Sequence, residues 1–246
     1  MIYKASEFVF EPTPSVSRAR RVLIKPSAAH PIPYPVTTSR ETMAAIIRGI
    51  RRVSDADILI LEGTYEEESV RSIYRILGYD FPRIITLDVK DCTLVEVENP
   101  LPKPFAMPNF WVPNVLLSCD YLITAAPFKI VNASASLSIA NLLGLLPSAK
   151  YGAEGPRGRG MLDRTSLHNV VADLYFTLPF DLGIIDARMK FYTGDDPTKG
   201  EIEEYGHIFV GEPYSVDTEA CKATGTEAAY LAPIAAGKME LESQGK

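Results

Sequence analysis

The chain has 246 residues, of which 46% are hydrophobic and 23% are charged. This composition is typical of globular proteins and excludes fibrous and wholly disordered classes. The formal net charge is −6 at pH 7, so the chain lacks the broad basic surface that nucleic acids require. We therefore expect no nucleic-acid partner.

The length and the lack of long apolar runs bound the domain organisation. At 246 residues, one hydrophobic core is still the default. No run reaches the roughly 18 apolar residues that cross a bilayer, and the first residues do not resemble a secretory signal. The sequence predicts a cytoplasmic protein with no membrane partner. It divides into an N-terminal arm (residues 1–20), one α/β domain (21–237) and a polar C-terminal tail (238–246).

The cysteines and histidines form no recognisable metal or redox motif. Cys92, Cys119 and Cys221 lie far apart, and no pair has the Cys-x-x-Cys spacing. The three histidines are equally separated. We expect no disulfide framework, no metal site and no iron–sulfur cluster in this chain, and any other cofactor stays undetermined.

The first half of the chain alternates between strand and helix patterns. A β-branched run, Arg21–Lys25, is followed by a loop with several prolines. Thr37-Thr38-Ser39 is typical of a helix start, and a second apolar run covers Asp57–Gly63 before an amphipathic helix at about 66–77. This order predicts a right-handed βαβ unit and a parallel sheet.

The second half continues the alternation, with two less regular segments. The five prolines in Asn99–Pro113 predict a loop, and the glycines in Tyr151–Gly160 predict a flexible lid. The remaining expected elements are strands at 83–88, 94–97, 121–125, 181–186 and 207–210, a turn at 193–200, and helices at 137–146, 167–176 and 214–224. The predicted fold class is α/β, with a mostly parallel open sheet and helices on both faces, in a three-layer, Rossmann-like arrangement.

Polar residues recur where the predicted strands end. Lys25 ends the first strand, Glu62 ends the second, Lys129 follows the strand at 121–125, and Asp186 ends the strand after the lid. Ligands of open parallel sheets collect beyond these carboxyl ends. The lysines and the helix start at Thr37, Thr38 and Ser39 therefore predict a site for a carboxylate or phosphate. The alternative is that each polar residue marks only where the chain meets water or caps a helix.

Three residues are candidate acid–base groups at this site: Asp186, His168 and Glu62. His168 lies on a predicted helix just after the lid, where a solvated or capping histidine is equally consistent with the pattern. Asp195 and Asp196 precede Pro197, which favours a turn over a metal site. In the lid, Arg157 and Arg159 fit either closure over an anion or a solvated loop.

Several motifs occur in a fixed order along the chain. The first three are Val22-Leu23-Ile24-Lys25-Pro26-Ser27, the threonine-rich Val36-Thr37-Thr38, and Glu62-Gly63. The central two are Asp120-Tyr121-Leu122-Ile123-Thr124-Ala125-Ala126-Pro127-Phe128-Lys129 and the apolar Leu137–Pro147, which contains Asn141 and Gly144. The last are His168, Asp173-Leu174, Asp186-Ala187 and Glu212-Pro213-Tyr214-Ser215-Val216-Asp217.

This succession resembles the family catalogued as domain of unknown function 362, over about Val22–Gly225. The resemblance implies that Lys25, Lys129, Asn141, Asp186 and Asp217 share one crevice. It implies no reaction, and the iron–sulfur modules joined to some members have no counterpart among the cysteines here. The sequence departs from the family pattern at four positions: Ser27 replaces asparagine, Val131 histidine, Ala140 lysine, and Ala187 glycine.

Two functions follow from these observations. The first is an enzyme that acts on a small anionic metabolite, with Lys25 and Lys129 as anion-binding groups. The second is a non-catalytic binding or assembly protein whose site has lost polar residues. The apolar segment Leu137–Leu146 would favour a homo-oligomer if it were exposed.

Overall fold

The computed structural model describes residues 1–64, 69–152, 162 and 165–244. The strands found there are β1 (Ile2–Lys4), β2 (Arg21–Pro26), β3 (Asp57–Glu62), β4 (Ile84–Asp88), β5 (Leu94–Glu98), β6 (Asn109–Pro113), β7 (Tyr121–Val131), β8 (Ser134–Ser136), β9 (Leu182–Thr193) and β10 (Gly200–Gly211). The helices are α1 (Arg40–Val53), α2 (Val70–Ile76), α3 (Ser148–Tyr151), α4 (Leu167–Thr177), α5 (Pro213–Thr224) and α6 (Leu231–Gln244).

One open sheet organises these elements. Its order is β1-β10-β9-β7-β2-β3-β4, and β8 pairs with β7 beside this path. The five strands from β9 to β4 run parallel to one another, whereas β1, β8 and β10 pair antiparallel. The predicted α/β fold class with a mostly parallel open sheet is confirmed.

The central strands are apolar throughout because helices cover both faces of the sheet. Along β2, Leu23 belongs to one buried cluster, and its neighbours Val22 and Ile24 belong to the other. Helices α1 and α2 and the first 20 residues pack on the Val22 side. Helices α4, α5 and α6 pack on the Leu23 side. A strand buried on both faces reads as a continuous apolar run, which is the pattern that Arg21–Lys25 shows.

The chain changes its direction of travel across the sheet beside β2. Strands β3 and β4 lie on one side of β2, and β7 and β9 lie on the other. In parallel sheets the loops diverge at such a point and leave a crevice beyond the strand ends. A ligand site is therefore expected above β2 and β7.

Part of the predicted loop at Asn99–Pro113 is a strand. Residues Asn109–Pro113 form β6, which pairs antiparallel with β5 in a separate two-stranded sheet. Four of the five prolines precede β6, and Pro113 is its last residue, so none interrupts the strand. Trp111 lies on β6, and the Lys150 ammonium sits 3.8 Å from its ring centre.

The apolar segment Leu137–Leu146 is buried within its own chain. It contains a short 3₁₀ helix, Ala140–Leu145, where the sequence predicts a longer helix. Leu137, Leu142 and Leu145 belong to the core on the Leu23 side of the sheet. Because this segment is buried, it does not supply the exposed apolar face that would favour a homo-oligomer.

The ends of the chain are more ordered than the sequence suggests. Strand β1 pairs with β10, and Phe10 and Val16 lie in the core. Helix α6 extends through the expected polar tail as far as Gln244. No helix in the described residues is long and apolar enough to cross a bilayer. Most of the predicted lid, with Arg157 and Arg159, lies outside the described residues, as do residues 65–68 of the predicted second helix.

Candidate functional site

A cavity of about 800 Å³ lies beyond the carboxyl ends of β2 and β3, against the second half of β7. This is the position at which the strand order predicts a crevice. Half of the predicted site residues line it: Lys25, Glu62, Lys129, Asn141 and His168. The other half lie outside its lining: Thr37, Thr38, Ser39, Asp186 and Asp217.

Lys25 and Glu62 form a buried ion pair at the base of the cavity. The Lys25 Nζ lies 2.7 Å from Glu62 Oε1, and each side chain is only 1% exposed. The same ammonium donates to Pro26 O at 2.7 Å and to Asn141 Oδ1 at 3.2 Å. Glu62 also accepts hydrogen bonds from the backbone N–H groups of Ala28 and Gly63. The positive charge of Lys25 is therefore balanced within the chain.

Asn141 joins this ion pair to the neighbouring strand. Its Nδ2 donates to Lys25 O and to Thr124 Oγ1, each at 3.1 Å. Because the amide oxygen faces Lys25 and the amide nitrogen faces β2 and β7, the side chain fixes the 3₁₀ helix on the strand ends. Asn141 thus forms its hydrogen bonds within the protein, although its side chain also lines the cavity.

Gly144 allows the ion pair to pack beneath the 3₁₀ helix. A Cβ at this position would fall 2.8 Å from Lys25 Nζ, and closer still to Glu62 Oε1. Gly63 is similarly confined, since its Cβ would lie 2.6 Å from Gly144 O. The two glycines set the distance between β3 and the 3₁₀ helix. In the sequence, Gly144 stands inside an otherwise apolar run, and Gly63 directly follows Glu62 at the end of a strand.

Lys129 differs from Lys25 because its ammonium has no hydrogen-bond or ion-pair partner among the residues that the structure describes. It lies on β7 opposite Ser136 of β8 and lines the cavity. Among the described residues, no side chain or backbone oxygen forms a hydrogen bond or ion pair with its Nζ. Burial lowers the pKa of Lys129 to about 8; Glu62 opposes the shift, and Lys25 adds to it.

The mouth of the cavity carries His168 and the turn between β9 and β10. His168 is exposed at the start of α4, and the Ser166 hydroxyl lies 3.0 Å from its Nδ1. Asp195 and Asp196 line the same opening. Hydrogen bonds from Thr198 lower the pKa of Asp196 to about 2. The predicted turn thus contributes two carboxylates to the rim.

The N-terminus of α1 is occupied by an anion of the chain itself. Asp186 is fully buried and accepts from the Ser39 hydroxyl at 2.8 Å and the Thr42 hydroxyl at 2.7 Å. Arg188 pairs with the same carboxylate at 2.6 Å. The sequence predicts a site for a ligand anion at this helix start, and in the structure the carboxylate of Asp186 lies there. Arg188 was not predicted, although it lies two residues after Asp186 on the same strand.

Thr37 and Thr38 hold the loop before α1. The Thr37 hydroxyl donates to Ile32 O at 2.6 Å. The Thr38 hydroxyl donates to Ala125 O at 2.7 Å and accepts from the backbone N–H of Ser27. Each side chain is 1% exposed. Both threonines therefore contribute to the scaffold beside the cavity.

Asp217 anchors the cavity wall from behind. Its buried carboxylate accepts from the Ser138 backbone and hydroxyl, the Ile139 backbone, and the Tyr230 hydroxyl. Burial raises the pKa of Asp217 to about 6, although these four donors favour the charged form. Tyr230 itself lines the cavity, so this network joins α5 and the start of α6 to the segment that follows β8.

Metal-ligating side chains do not cluster in the described part of the chain. No group of three or more His, Cys, Asp or Glu residues is arranged to hold an ion there. Burial raises the pKa of the Cys119 and Cys221 thiols to about 11, which favours the unreactive thiol form. The chemistry of the described site therefore rests on lysine, carboxylate and imidazole groups.

An open, mostly parallel sheet with helices on both faces and a cavity at its change of direction defines an α/β protein. The family model described as "Domain of unknown function (DUF362)" matches residues 22–222, and the chain belongs to this family. The family resemblance seen in the sequence is thereby confirmed. A search of curated proteins finds no match.

One solved structure with a similar fold is the lactate racemase apoprotein from Thermoanaerobacterium thermosaccharolyticum. It superposes with a TM-score of 0.51 at 14% sequence identity. The alignment covers 89% of this chain and 52% of the racemase chain, so the protein spans about half the length of that neighbour. At this level of identity the likeness concerns the fold alone.

Proposed function

We propose that this protein is an enzyme that acts on a small anionic metabolite, a carboxylate or a phosphate, bound in the cavity beside Lys129. The observation that carries the proposal is the Lys129 ammonium on the cavity wall, which has no ion-pair partner within the described part of the chain. An uncompensated charge near the protein interior is costly, and a bound anion would repay that cost. Lys25 supports the site differently, because Glu62 already neutralises it.

Two groups at the cavity are suited to proton transfer. Lys129 has a pKa of about 8, so at neutral pH it is mostly an ammonium that donates a proton, and it becomes a base after losing one. The His168 imidazole at the mouth is a second acid–base group. Glu62 accepts three hydrogen bonds from the chain and acts here as the positioning partner of Lys25.

A non-catalytic binding protein is the second candidate, and the lining of the cavity favours it in one respect. Ser27, Val131 and Ala140 all line the cavity. They are three of the four positions at which the sequence departs from the family pattern. Replacement of a histidine and a lysine by Val131 and Ala140 removes groups suited to proton transfer or anion binding.

Ligand binding tests the site. Isothermal titration calorimetry with small carboxylates and phosphates should detect binding to the wild type. Lys129→Met should weaken that binding about tenfold or more, the usual effect of losing a hydrogen bond to a charged group. Lys222→Met, which removes an exposed lysine outside the cavity, is the matched control. Equal affinities for wild type and Lys129→Met would refute the assignment of Lys129.

Proton exchange separates the two candidate functions. An enzyme that moves a proton next to a carboxylate should exchange the α-hydrogen of a bound ligand for deuterium in D₂O, as followed by ¹H NMR. Lys129→Met should abolish the exchange. Tight binding of the same ligands with no exchange and no other chemical change would favour the binding protein.

A further inference from the structure

The interior of the described cavity is only weakly basic. Lys25 and Glu62 lie 2.7 Å apart and cancel each other. Among the described lining residues, Lys129 is then the one cation in the interior without a carboxylate partner. The interior of the described cavity therefore carries about one net positive charge.

The rim carries two carboxylates. Asp195 and Asp196 are exposed and line the opening. Asp196 pairs with Lys199 at 3.0 Å, and Asp195 accepts a hydrogen bond from the Asn132 amide at 3.3 Å. Because electrostatic repulsion grows with ligand charge, a dianion approaching this rim is opposed more strongly than a monoanion.

Much of the remaining wall is apolar. Carbon side chains face the cavity from β7, from the segment after β8, and from α4: Ala126, Pro127, Val131, Leu137, Leu143, Leu167 and Val171. Uncharged polar groups, including Ser136 and the Tyr230 ring, complete the lining. Apolar walls around a few polar groups are typical of sites that hold the carbon portion of a ligand.

We propose that the cavity selects small monocarboxylates whose remaining part is apolar or uncharged, and that it discriminates against dianions such as dicarboxylates and phosphate monoesters. This inference rests on the proposed function and names its substrate class. A single ammonium balances one carboxylate, whereas a second negative charge would lie in an apolar environment with no partner. Glu62 is therefore a specificity-determining residue, because its negative charge neutralises the positive charge of Lys25.

Three ligands of similar size test the selectivity by calorimetry: butyrate, succinate and propyl phosphate. At pH 7, the wild type should bind butyrate about tenfold more tightly than either of the other two, as expected for one unbalanced charge at a partly buried site. Tighter binding of succinate or propyl phosphate than of butyrate would overturn the proposed selectivity, but it would still be consistent with an anion site. Failure of all three ligands to bind would overturn the proposed function itself.

Two variants test the role of the Lys25–Glu62 pair. Glu62→Gln keeps the shape of the side chain and releases the charge of Lys25, so the preference should shift toward succinate by about tenfold. The double variant Lys25→Met, Glu62→Gln removes both charges and should restore the preference for butyrate. An unchanged ratio of the Kd values in a folded Glu62→Gln protein would overturn the inference. If Glu62→Gln fails to fold, a double variant that prefers succinate would overturn it equally.

Discussion

The two lysines of the site have different roles because their surroundings differ. Lys25 is 1% exposed and pairs with Glu62 at 2.7 Å. Lys129 contacts the same cavity without a partner among the described residues, and its pKa falls to about 8. A buried charge is stable when a counter-charge is adjacent and costly when it is alone. A charged Lys129 therefore lowers the stability of the folded protein.

We expect Lys129→Met to stabilise the protein while weakening anion binding. In the unfolded chain a lysine keeps its proton up to about pH 10.4, whereas Lys129 loses it near pH 8 in the folded state. Holding the proton therefore costs stability below pH 8, and wild-type stability should rise between pH 8 and 10. At pH 7 the variant should gain about 1–3 kcal/mol in free energy of unfolding.

Urea denaturation at pH 7 and pH 10 checks this expectation. The gain from Lys129→Met should shrink at the higher pH, since the wild-type side chain is neutral there. Glu62, His30, His168, Asp195 and Asp196 also line the cavity, but both proteins contain them. Lys222→Met serves again as the exposed control. A loss of stability in Lys129→Met at pH 7 would show that the lysine has a structural role.

Two elements beside the cavity are held by carboxylates of the chain. Asp186 accepts hydrogen bonds from the Ser39 and Thr42 hydroxyls at the start of α1. Asp217 accepts the backbone N–H groups of Ser138 and Ile139 just before the 3₁₀ helix. These internal anions satisfy backbone and hydroxyl donors that would otherwise attract a ligand. Among the described residues that line the cavity, Lys129 has no such internal partner.

Asp217→Asn should destabilise the protein by about 2–4 kcal/mol, because it leaves buried donors without an acceptor. The carboxylate accepts four hydrogen bonds, and an amide NH₂ in its place would face N–H donors. Urea denaturation at pH 7 measures the effect. Glu219→Gln, which changes a carboxylate on the same helix and removes only a surface ion pair with the N-terminal ammonium, should alter stability by less than about 1 kcal/mol. A similarly small loss for Asp217→Asn would contradict the anchoring role.

At the scale of the whole molecule, the first 20 residues complete one face of the sheet. Phe10 is 2% exposed and belongs to the core cluster of α1 and α2. Gly49 of α1 packs directly on it, since a Cβ there would lie 2.6 Å from the Phe10 ring. Strand β1 then extends the sheet beside β10. The segment predicted as an arm is therefore packed against the α/β core.

Phe10→Ala should lower the free energy of unfolding by about 3–5 kcal/mol, the usual cost of truncating a buried phenylalanine. Val9→Ala is the matched control, because Val9 is 51% exposed and adjacent in sequence. It should change stability by less than about 0.5 kcal/mol. If urea denaturation showed an equally small loss of stability for both variants, Phe10 and the first 20 residues would not contribute to the core.

Much of the architecture is determined by local sequence. The apolar runs of β2 and β3 and the Ser39 cap of α1 identify strand and helix because each depends on a few adjacent residues. The sequence does not reveal strand β6, because its proline-rich surroundings resemble a loop and the segment between β5 and β6 has ten residues. The Leu137–Leu146 segment predicts a longer helix than the structure has, because apolar content alone does not distinguish helix types.

The sequence by itself places polar residues at the ends of several strands. Because parallel strands bring their carboxyl ends to one edge of the sheet, it also predicts that these residues lie near one another. Only the tertiary structure decided which of those groups are available to a ligand. Lys25 and Glu62 are 37 residues apart, and Asp186 lies 147 residues from Ser39, yet each pair is in contact. No local pattern shows which charges are balanced by such distant partners. The folded chain neutralises Lys25, fills the start of α1 with Asp186, and leaves Lys129 facing the cavity.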